Sequence, residues 1–489
     1  MLLSSLLGRI AVLAVAGPID RPVGRVTDVD AEVGPGDVFV AIKGGRFDGH
    51  DRLDRMAHAA TVVVDQDRVV PPGPTVVRVA DTRVALAPLC AARLGDPGAS
   101  MPVVAVTGTN GKTSTTFLLA AMARAAGLRV GIIGTTGVYI DDEKMPASHT
   151  TPGAPALQAL LARMRDAGCG FVAVEASSIG LAAHRIDAIP FRAAIFTNLT
   201  RDHLDWHGTM EAYAASKARL FRELLAGTAI LNAADPASAD MAPVGRPTWW
   251  FNDADLRAEN VVSTANGTQA RWVTPMGSFE GSMRLVGAHN VDNALGALGG
   301  ALAAGVPLEA CRAGLAALPF IPGRLQPVEN ALGFGVLVDY AHTDDALARV
   351  LVALRALSPR RILTVFGCGG DRDRGKRPLM GRAAADGSDL VFVTSDNPRS
   401  EDPMAIIAAI LPGIGDRPHV VQPDRRLAIA TALEAARPGD IVLIAGKGHE
   451  ATQETGAVTA PFDDAAVAAD LLRTLAHGSG SPRNEAPEC

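Results

Sequence analysis

Clustered basic charge is missing from this chain. Its 46 Lys and Arg against 52 Asp and Glu leave a net charge of -6 with no Lys/Arg block, which argues against nucleic acid as a main partner, because binding a phosphate backbone needs grouped cations. Charge on a substrate must then be met locally. Cysteine is scarce: the five residues Cys90, Cys169, Cys311, Cys368 and Cys489 are odd in number, far apart and form no CxxC pair. Neither a disulfide framework nor a zinc site is indicated, and a reducing cytoplasmic setting is expected. No apolar stretch reaches the ~20 residues that span a bilayer. The opening MLLSSLLGRIAVLAVAG lacks a positive segment before its apolar run and is interrupted by Arg9. It therefore reads as an amphipathic first helix with Leu3, Leu6, Leu7 and Ile10 inward, not as a signal peptide. There is no internal repeat of roughly 20–50 residues.

What is present suits a large α/β protein. A length of 489 residues corresponds to about three domains at roughly 150 residues each. The 48% hydrophobic fraction lies in short Val/Ile/Leu/Ala runs broken by Gly and Pro, as helices packed on parallel strands require. Residues 1–98, with GDVFVAIKG and ATVVVDQ around a helical DRLDRMAHAA, read as a small α/β domain. Residues 99–320 restart with PVVAVTG and continue through GFVAVEA, RAAIFTNL and GTAILNA, the alternation of a central P-loop-type nucleotide-binding domain. Within it, 245–285 is less regular and reads as β-meander or linker. FIPGRLQPVE carries the Pro and Gly of a hinge, and 321–478 repeats strand–helix alternation as a second, Rossmann-like doubly wound domain. The polar tail 479–489 is expected to be disordered.

The strand-turn-helix VVAVTGTNGKTSTT carries the strongest chemistry. Backbone N–H groups of Gly108, Thr109, Asn110, Gly111, Lys112 and Thr113, with Ser114 beyond, open a helix N-terminus. Lys112 supplies a point charge for β/γ-phosphates and Thr113 a hydroxyl for Mg²⁺. The loop is shorter than the usual P-loop, since Val106 stands where that pattern has its first Gly. Glu175 closes the strand FVAVE and His203 follows AAIFTNLT, both at carboxyl strand ends, where parallel sheets hold ligands. A carboxylate and a neutral imidazole are reasonable ligands for two Mg²⁺ ions that also share phosphate oxygens.

GTNGKT together with TNLTRDHLDWHGT resembles the Mur ligase family, which includes the folylpolyglutamate synthases, and the resemblance spans most of the chain. It implies an ATP-dependent acid–amino-acid ligase. By that likeness Lys217 is carbamylated and reaches toward the second Mg²⁺, making Lys112, His203 and Lys217 the catalytic set. It places Asn290 of GAHNVDNAL against adenine, with Arg324, Asp339 and His342 meeting phosphate and ribose across the hinge. Domain closure would then complete the site and exclude water.

The last third implies the amino acid. DNPR (Asp396, Asn397, Pro398, Arg399) resembles the motif of members that use meso-diaminopimelate, whose extra carboxylate a guanidinium can grip bidentately. Arg372 adds a second positive contact, and Gly446 and Glu450 of IAGKGHE lie by the distal ammonium; Arg377 and Lys376 are weaker candidates. For the acceptor, UDP-N-acetylmuramoyl-L-alanyl-D-glutamate, the likeness implies Thr150, Thr151, Ser177 and Arg185. The chain departs from the family at Ile179 and Ala183, and its Val29, Asp30, Ala31 replace a usual Asp-Ser-Arg, leaving Asp30 as the uridine candidate. The implied reaction passes phosphate from ATP to the D-glutamyl carboxylate, and the amine then attacks the acyl phosphate. No general base is assigned. The same ligation with L-lysine, a folylpolyglutamate synthase-like ligase and a nucleotide-regulated binding module are the alternatives. Small-molecule substrates, a monomer and no membrane contact are expected.

Overall fold

The structure, a computed structural model, describes residues 1–45, 47–147, 149–264 and 267–478. Near the N-terminus a five-stranded sheet runs in the order Ala14–Ala16, Thr75–Arg78, Thr61–Val64, Val38–Val40, Val26–Thr27. Its strands pair in parallel except at the edge Ala14–Ala16. Every residue of Val38–Val40 is buried, as expected of a parallel strand covered on both faces. Helices Leu3–Leu7 and Thr82–Arg93 share a core with it, through Leu3, Leu6, Leu7, Leu86 and Leu89, and Ile10 packs partly buried beside them. The inward stripe read from the first residues is thus what forms.

The next sheet has eight strands in the order Thr248–Phe251, Leu225–Asn232, Phe191–Phe196, Val103–Thr107, Phe171–Glu175, Val130–Gly134, Gly137–Ile140, Glu143–Met145. The first six are parallel and the last two antiparallel. The wholly buried Val103–Thr107 lies between Phe171–Glu175 and Phe191–Phe196. Three strands therefore end side by side where the helix Lys112–Ala125 begins, the crevice at which open α/β sheets hold ligands. Helix Leu308–Ala317 lies close on that helix: a Cβ at Gly314 would stand 2.4 Å from Met122 Cα.

Both sheets belong to one compact unit, Met1–Glu259 with Arg271–Glu280 and Asp292–Ala317. The 98/99 boundary expected from the sequence falls inside it. The second unit is Asn260–Ala270, Gly281–Val291 and Leu318–Cys489. Its six-stranded sheet runs Gln326–Pro327, Gly335–Asp339, Ile441–Ala445, Ile362–Phe366, Leu390–Val393, His419–Val421, parallel except at Gln326–Pro327. The irregular stretch resolves into the edge strand Thr248–Phe251 and three consecutive strands, Arg257–Thr264, Gly267–Thr274 and Gly277–Met283. The hairpin Thr452–Thr455 with Val458–Pro461 and the last helix, Asp464–Gly478, add elements that the sequence pattern left unread. The tail 479–489 lies outside the described residues. Among those described, no helix is long and apolar enough to cross a membrane.

Candidate active site

The phosphate loop of the first unit is built by two glycines and one lysine cluster. Gly108 has φ 147° and a Cβ there would fall 1.9 Å from Thr197 Oγ1; Gly111 has φ 87° and would strike Asn293 Oδ1 at 2.3 Å. Only glycine tolerates both the conformation and the crowding. No side chain caps the helix that starts at Lys112, so its N-terminus presents backbone donors suited to an anion. The loop is pinned from the strand Phe191–Phe196 side: Thr109 N donates to Asn198 O (2.8 Å), Asn110 N to Asn198 Oδ1 (2.9 Å) and Thr197 Oγ1 to Asn110 O (2.6 Å).

Two ammonium groups converge on one carbonyl of this loop. Lys112 Nζ donates to Gly108 O (2.9 Å) and Thr109 O (2.8 Å), and Lys217 Nζ donates to the same Gly108 O (2.8 Å). Lys217 lies on helix Met210–Arg219, is buried, and sits 4.4 Å from the centre of the Tyr213 ring. Burial, and then the charge of Lys112, push its pKa well below the ordinary lysine range, with Asp202 opposing. Such an amine is readily neutral and nucleophilic. Tyr213 Oη lies 3.1 Å from Thr109 Oγ1, and burial pushes this phenol upward.

His203 has a left-handed backbone (φ 53°) and an exposed ring 3.5 Å from Asp202. His207, one turn on, was not singled out in the sequence. Its Nε2 lies 3.0 Å from Ser178 Oγ and its ring 5.2 Å from Tyr213, and burial, then His203 and Lys217, hold its pKa low. Asn293 was also missed, although both residues lie in quoted motifs; its contact with the loop depends on folding, not spacing.

Glu175 anchors a second knot. Its fully buried carboxylate accepts from Thr135 N (3.0 Å) and Thr135 Oγ1 (2.9 Å), and Thr135 Oγ1 also lies 3.0 Å from Thr150 Oγ1. Thr151 Oγ1 donates to Glu175 O (2.7 Å) and accepts from Ser177 N and Oγ, while Arg185 Nη1 donates to Thr151 O (2.9 Å). Ser177 Oγ also caps the short helix Ser178–Ala182 by accepting from Gly180 N. Asp30 stands outside this knot, with Arg52 Nε 3.8 Å away. Asp28 is the residue whose charge reaches Arg185: burial raises the Asp28 carboxyl and lowers the Arg185 guanidinium, and each opposes the shift of the other.

Among the described residues no group of three or more His, Cys, Asp or Glu could hold a metal ion alone. Mg²⁺ commonly takes phosphate oxygens and water as further ligands beside one or two protein groups. The oriented Glu175 carboxylate and the Thr113 hydroxyl at the helix start fit that chemistry.

In the second unit, Asp339 is clamped by Leu325 N (2.7 Å) and Ala341 N (2.8 Å), and burial raises its carboxyl against the pull of Arg324. The Arg324 guanidinium lies 4.8 Å from the Tyr340 ring centre, and His342 Nδ1 lies 2.9 Å from Tyr340 O. Asn290 Nδ2 donates to Val286 O (2.9 Å).

The loops that carry the other candidates meet at the carboxyl ends of Leu390–Val393 and Ile441–Ala445. Arg399, at φ 52°, donates from Nε to Glu454 Oε2 (2.9 Å) and from Nη1 to Gly370 O (2.8 Å). Asn397 Nδ2 donates to Glu450 Oε2 (2.8 Å), and Gly446 N donates to Asp339 O (3.1 Å). Asp396 Oδ1 accepts from Asn397 N (2.7 Å), and the carbonyl of Pro398 stands close over Gly370. Arg372 is exposed and donates to its neighbour's carbonyl, Asp371 O (3.2 Å). Arg377, a weaker candidate in the sequence, is buried and pairs with Glu401 through Nη2 and Nη1 (2.8 and 3.1 Å); Lys376 Nζ donates to His342 O (2.9 Å). Behind these loops Arg425 and Asp464, both buried, form a bidentate pair (2.7 and 2.8 Å), and Arg425 also donates to Ser395 O and Ala445 O.

Comparison with known proteins agrees in both units. Residues 106–301 match the Mur ligase middle domain and residues 323–448 the Mur ligase, glutamate ligase domain. The chain is 43% identical over 476 residues to a UDP-N-acetylmuramoyl-L-alanyl-D-glutamate–2,6-diaminopimelate ligase of Geobacter metallireducens, covering 91% of this chain and 93% of that protein. It is 43% identical over 495 residues to a UDP-N-acetylmuramyl-tripeptide synthetase of a Roseiflexus species, covering 94% and 96%. A solved structure of a UDP-N-acetylmuramoyl-L-alanyl-D-glutamate–2,6-diaminopimelate ligase superposes with a TM-score of 0.72 at 33% identity, covering 98% of this chain and 99% of the other.

Proposed function

The chain belongs to the Mur ligase family, and from that premise we propose that it uses ATP to join meso-diaminopimelate to UDP-N-acetylmuramoyl-L-alanyl-D-glutamate in peptidoglycan precursor synthesis. The observation that carries the choice of amino acid is the Asp396–Asn397–Pro398–Arg399 loop, with Arg399 held by Gly370 O and Glu454 while Asn397 fixes Glu450. A guanidinium and a carboxylate held in one framework suit a zwitterionic centre remote from the reacting amine. Lysine has no carboxylate there.

Segment 1–98 holds the uridine end of the acceptor, 99–320 the ATP and 321–478 the amino acid. ATP transfers its γ-phosphoryl group to the D-glutamyl carboxylate, releasing ADP and leaving an acyl phosphate. The amine of diaminopimelate attacks the acyl carbon and phosphate departs as the amide forms. Lys112 and the N–H groups of 108–113 meet the charge that develops on the transferring group. Mg²⁺, when bound, neutralises part of the same charge, and Thr113, Glu175, His203 and a carbamylated Lys217 are the residues that would hold it. The depressed pKa of Lys217 supports the modification: a neutral Nζ can bond to the carbon of CO₂ with loss of one proton, turning a buried neutral amine into an anion. Thr150, Thr151, Ser177 and Arg185 orient the acceptor, Asn290 the adenine, and Arg324, Asp339 and His342 the ribose and phosphates. The enzyme acts as a cytoplasmic monomer.

Phosphate release across a panel of acceptors and amino acids tests the proposal. Turnover should require UDP-muramoyl-dipeptide and meso-diaminopimelate together; turnover with a folyl acceptor, or a preference for L-lysine, would select an alternative.

A further inference from the structure

Lys447 follows the strand Ile441–Ala445 and is 0% exposed. Its Nζ donates to Asn397 Oδ1 (3.0 Å) and to Thr452 O (2.6 Å), and lies 3.3 Å from Glu450 Oε2. A buried ammonium persists only where acceptors surround it, and here they come from Asn397 and from the loop 450–452 that follows Lys447.

The Asn397 amide is engaged at both ends. Its Oδ1 accepts from Lys447 Nζ and from Glu454 N (3.1 Å), and its Nδ2 donates to Glu450 Oε2 (2.8 Å). A flipped amide would aim N–H at two donors, so Lys447 and the Glu454 amide together decide which way Asn397 faces. That orientation in turn holds the Glu450 carboxylate. The bond to Thr452 O ties in the hairpin Thr452–Thr455/Val458–Pro461, whose Glu454 pairs with Arg399 and whose Gln453 Nε2 donates to Asp396 O (2.8 Å).

We infer that Lys447 is a positioning residue for the amino-acid site, setting the Asn397 amide and through it the Glu450 carboxylate that receives the distal ammonium group of the substrate. The inference rests on the amino-acid assignment proposed above. Lys447 itself touches no substrate.

The test is Lys447→Met, which keeps the length of the side chain and removes the donor. KM for meso-diaminopimelate should rise at least about tenfold while KM for ATP and for the muramoyl-dipeptide stay within about twofold. In an Asn397→Ala background, adding Lys447→Met should raise that KM by less than about threefold, since the two act through one contact. An unchanged KM for diaminopimelate, a uniform loss for all three substrates, or full additivity with Asn397→Ala would overturn the inference. Should Lys447→Met not fold, Lys447→Gln carries the same readout: a rise confined to the amino acid supports the role and a uniform loss overturns it. Wild-type enzyme that shows no preference for meso-diaminopimelate would instead sink the amino-acid assignment, whatever the variants do.

Discussion

The loop at 108–113 and the loops around 396–399 both follow buried parallel strands, yet their charges are arranged in opposite ways. At the first, two lysines donate to the same carbonyl oxygen, Gly108 O, at a helix N-terminus with no side-chain cap. At the second, four cations are matched in advance: Arg399 with Glu454, Lys447 with Glu450, Arg377 with Glu401 and Arg425 with Asp464. The Lys112 cation together with the positive end of that helix favours any polyphosphate and suits transition-state stabilisation. A compensated network attracts little by charge alone, and rewards only a ligand whose own charges replace or extend existing pairs. One region is built for chemistry, the other for choice.

The largest effect expected to sharpen this contrast is at Lys112. Lys112→Ala should lower kcat by about 100- to 1,000-fold or more, as removal of a donor to developing charge does. Near-normal turnover would break the account of the first loop. Lys217→Ala should be similarly inactive, and small carboxylic acids should partly restore it by standing in for a carbamate ligand. Clear density for an unmodified Lys217 ammonium in a crystal of the active, metal-loaded enzyme would contradict that role.

Next in size is the pair behind the amino-acid loops. Arg425→Met alone should destabilise the fold by about 3–5 kcal/mol, by leaving Asp464 buried and unpaired, whereas Arg425→Met with Asp464→Leu should recover most of it. Urea denaturation checks this; equal losses for the single and double variants would mean that the carbonyl contacts of Arg425 matter more than its charge pair. The smallest effect concerns acid. The bidentate contact with Arg377 and the Asp371 N–H push Glu401 down to about 2. The folded-state pKa lies below the ordinary carboxylate value, so this contact stabilises fully above the unfolded glutamate pKa and is lost as pH falls toward about 2. Glu401→Gln should flatten the acid limb of the stability curve over that window, and an unchanged limb would remove the contact from the account.

The phosphate loop was legible because its signal is local: strand, Gly108, Gly111, Lys112 and helix follow within a dozen residues and depend on backbone conformation alone. Val103–Thr107, Phe171–Glu175, Phe191–Phe196 and Leu225–Asn232 of the eight-stranded sheet, and all of the six-stranded sheet but Gln326–Pro327, were legible for the same reason, as short apolar runs, whereas Val130–Gly134, Gly137–Ile140, Glu143–Met145 and Thr248–Phe251 were not. What the chain order hides are contacts between distant segments. Lys447 and Asn397 are 50 residues apart and Arg425 and Asp464 are 39 apart, so no spacing rule joins them. Asp28 and Arg185, whose charges act on each other, are likewise far apart in the chain. His207 and Asn293 lay in view but looked like ordinary helix residues until the loop closed beside them.

The central claim, that the second region chooses meso-diaminopimelate through its carboxylate, is tested most directly by kcat/KM for meso-diaminopimelate and for L-lysine on wild type and Arg399→Ala, with ATP and acceptor saturating. Wild type should prefer diaminopimelate strongly. The variant should lose about 2–5 kcal/mol, roughly 30- to several-thousand-fold, on diaminopimelate and change little on lysine, because only diaminopimelate then leaves a substrate carboxylate without its partner. Equal losses on the two amino acids, or a wild type that prefers lysine, would contradict it.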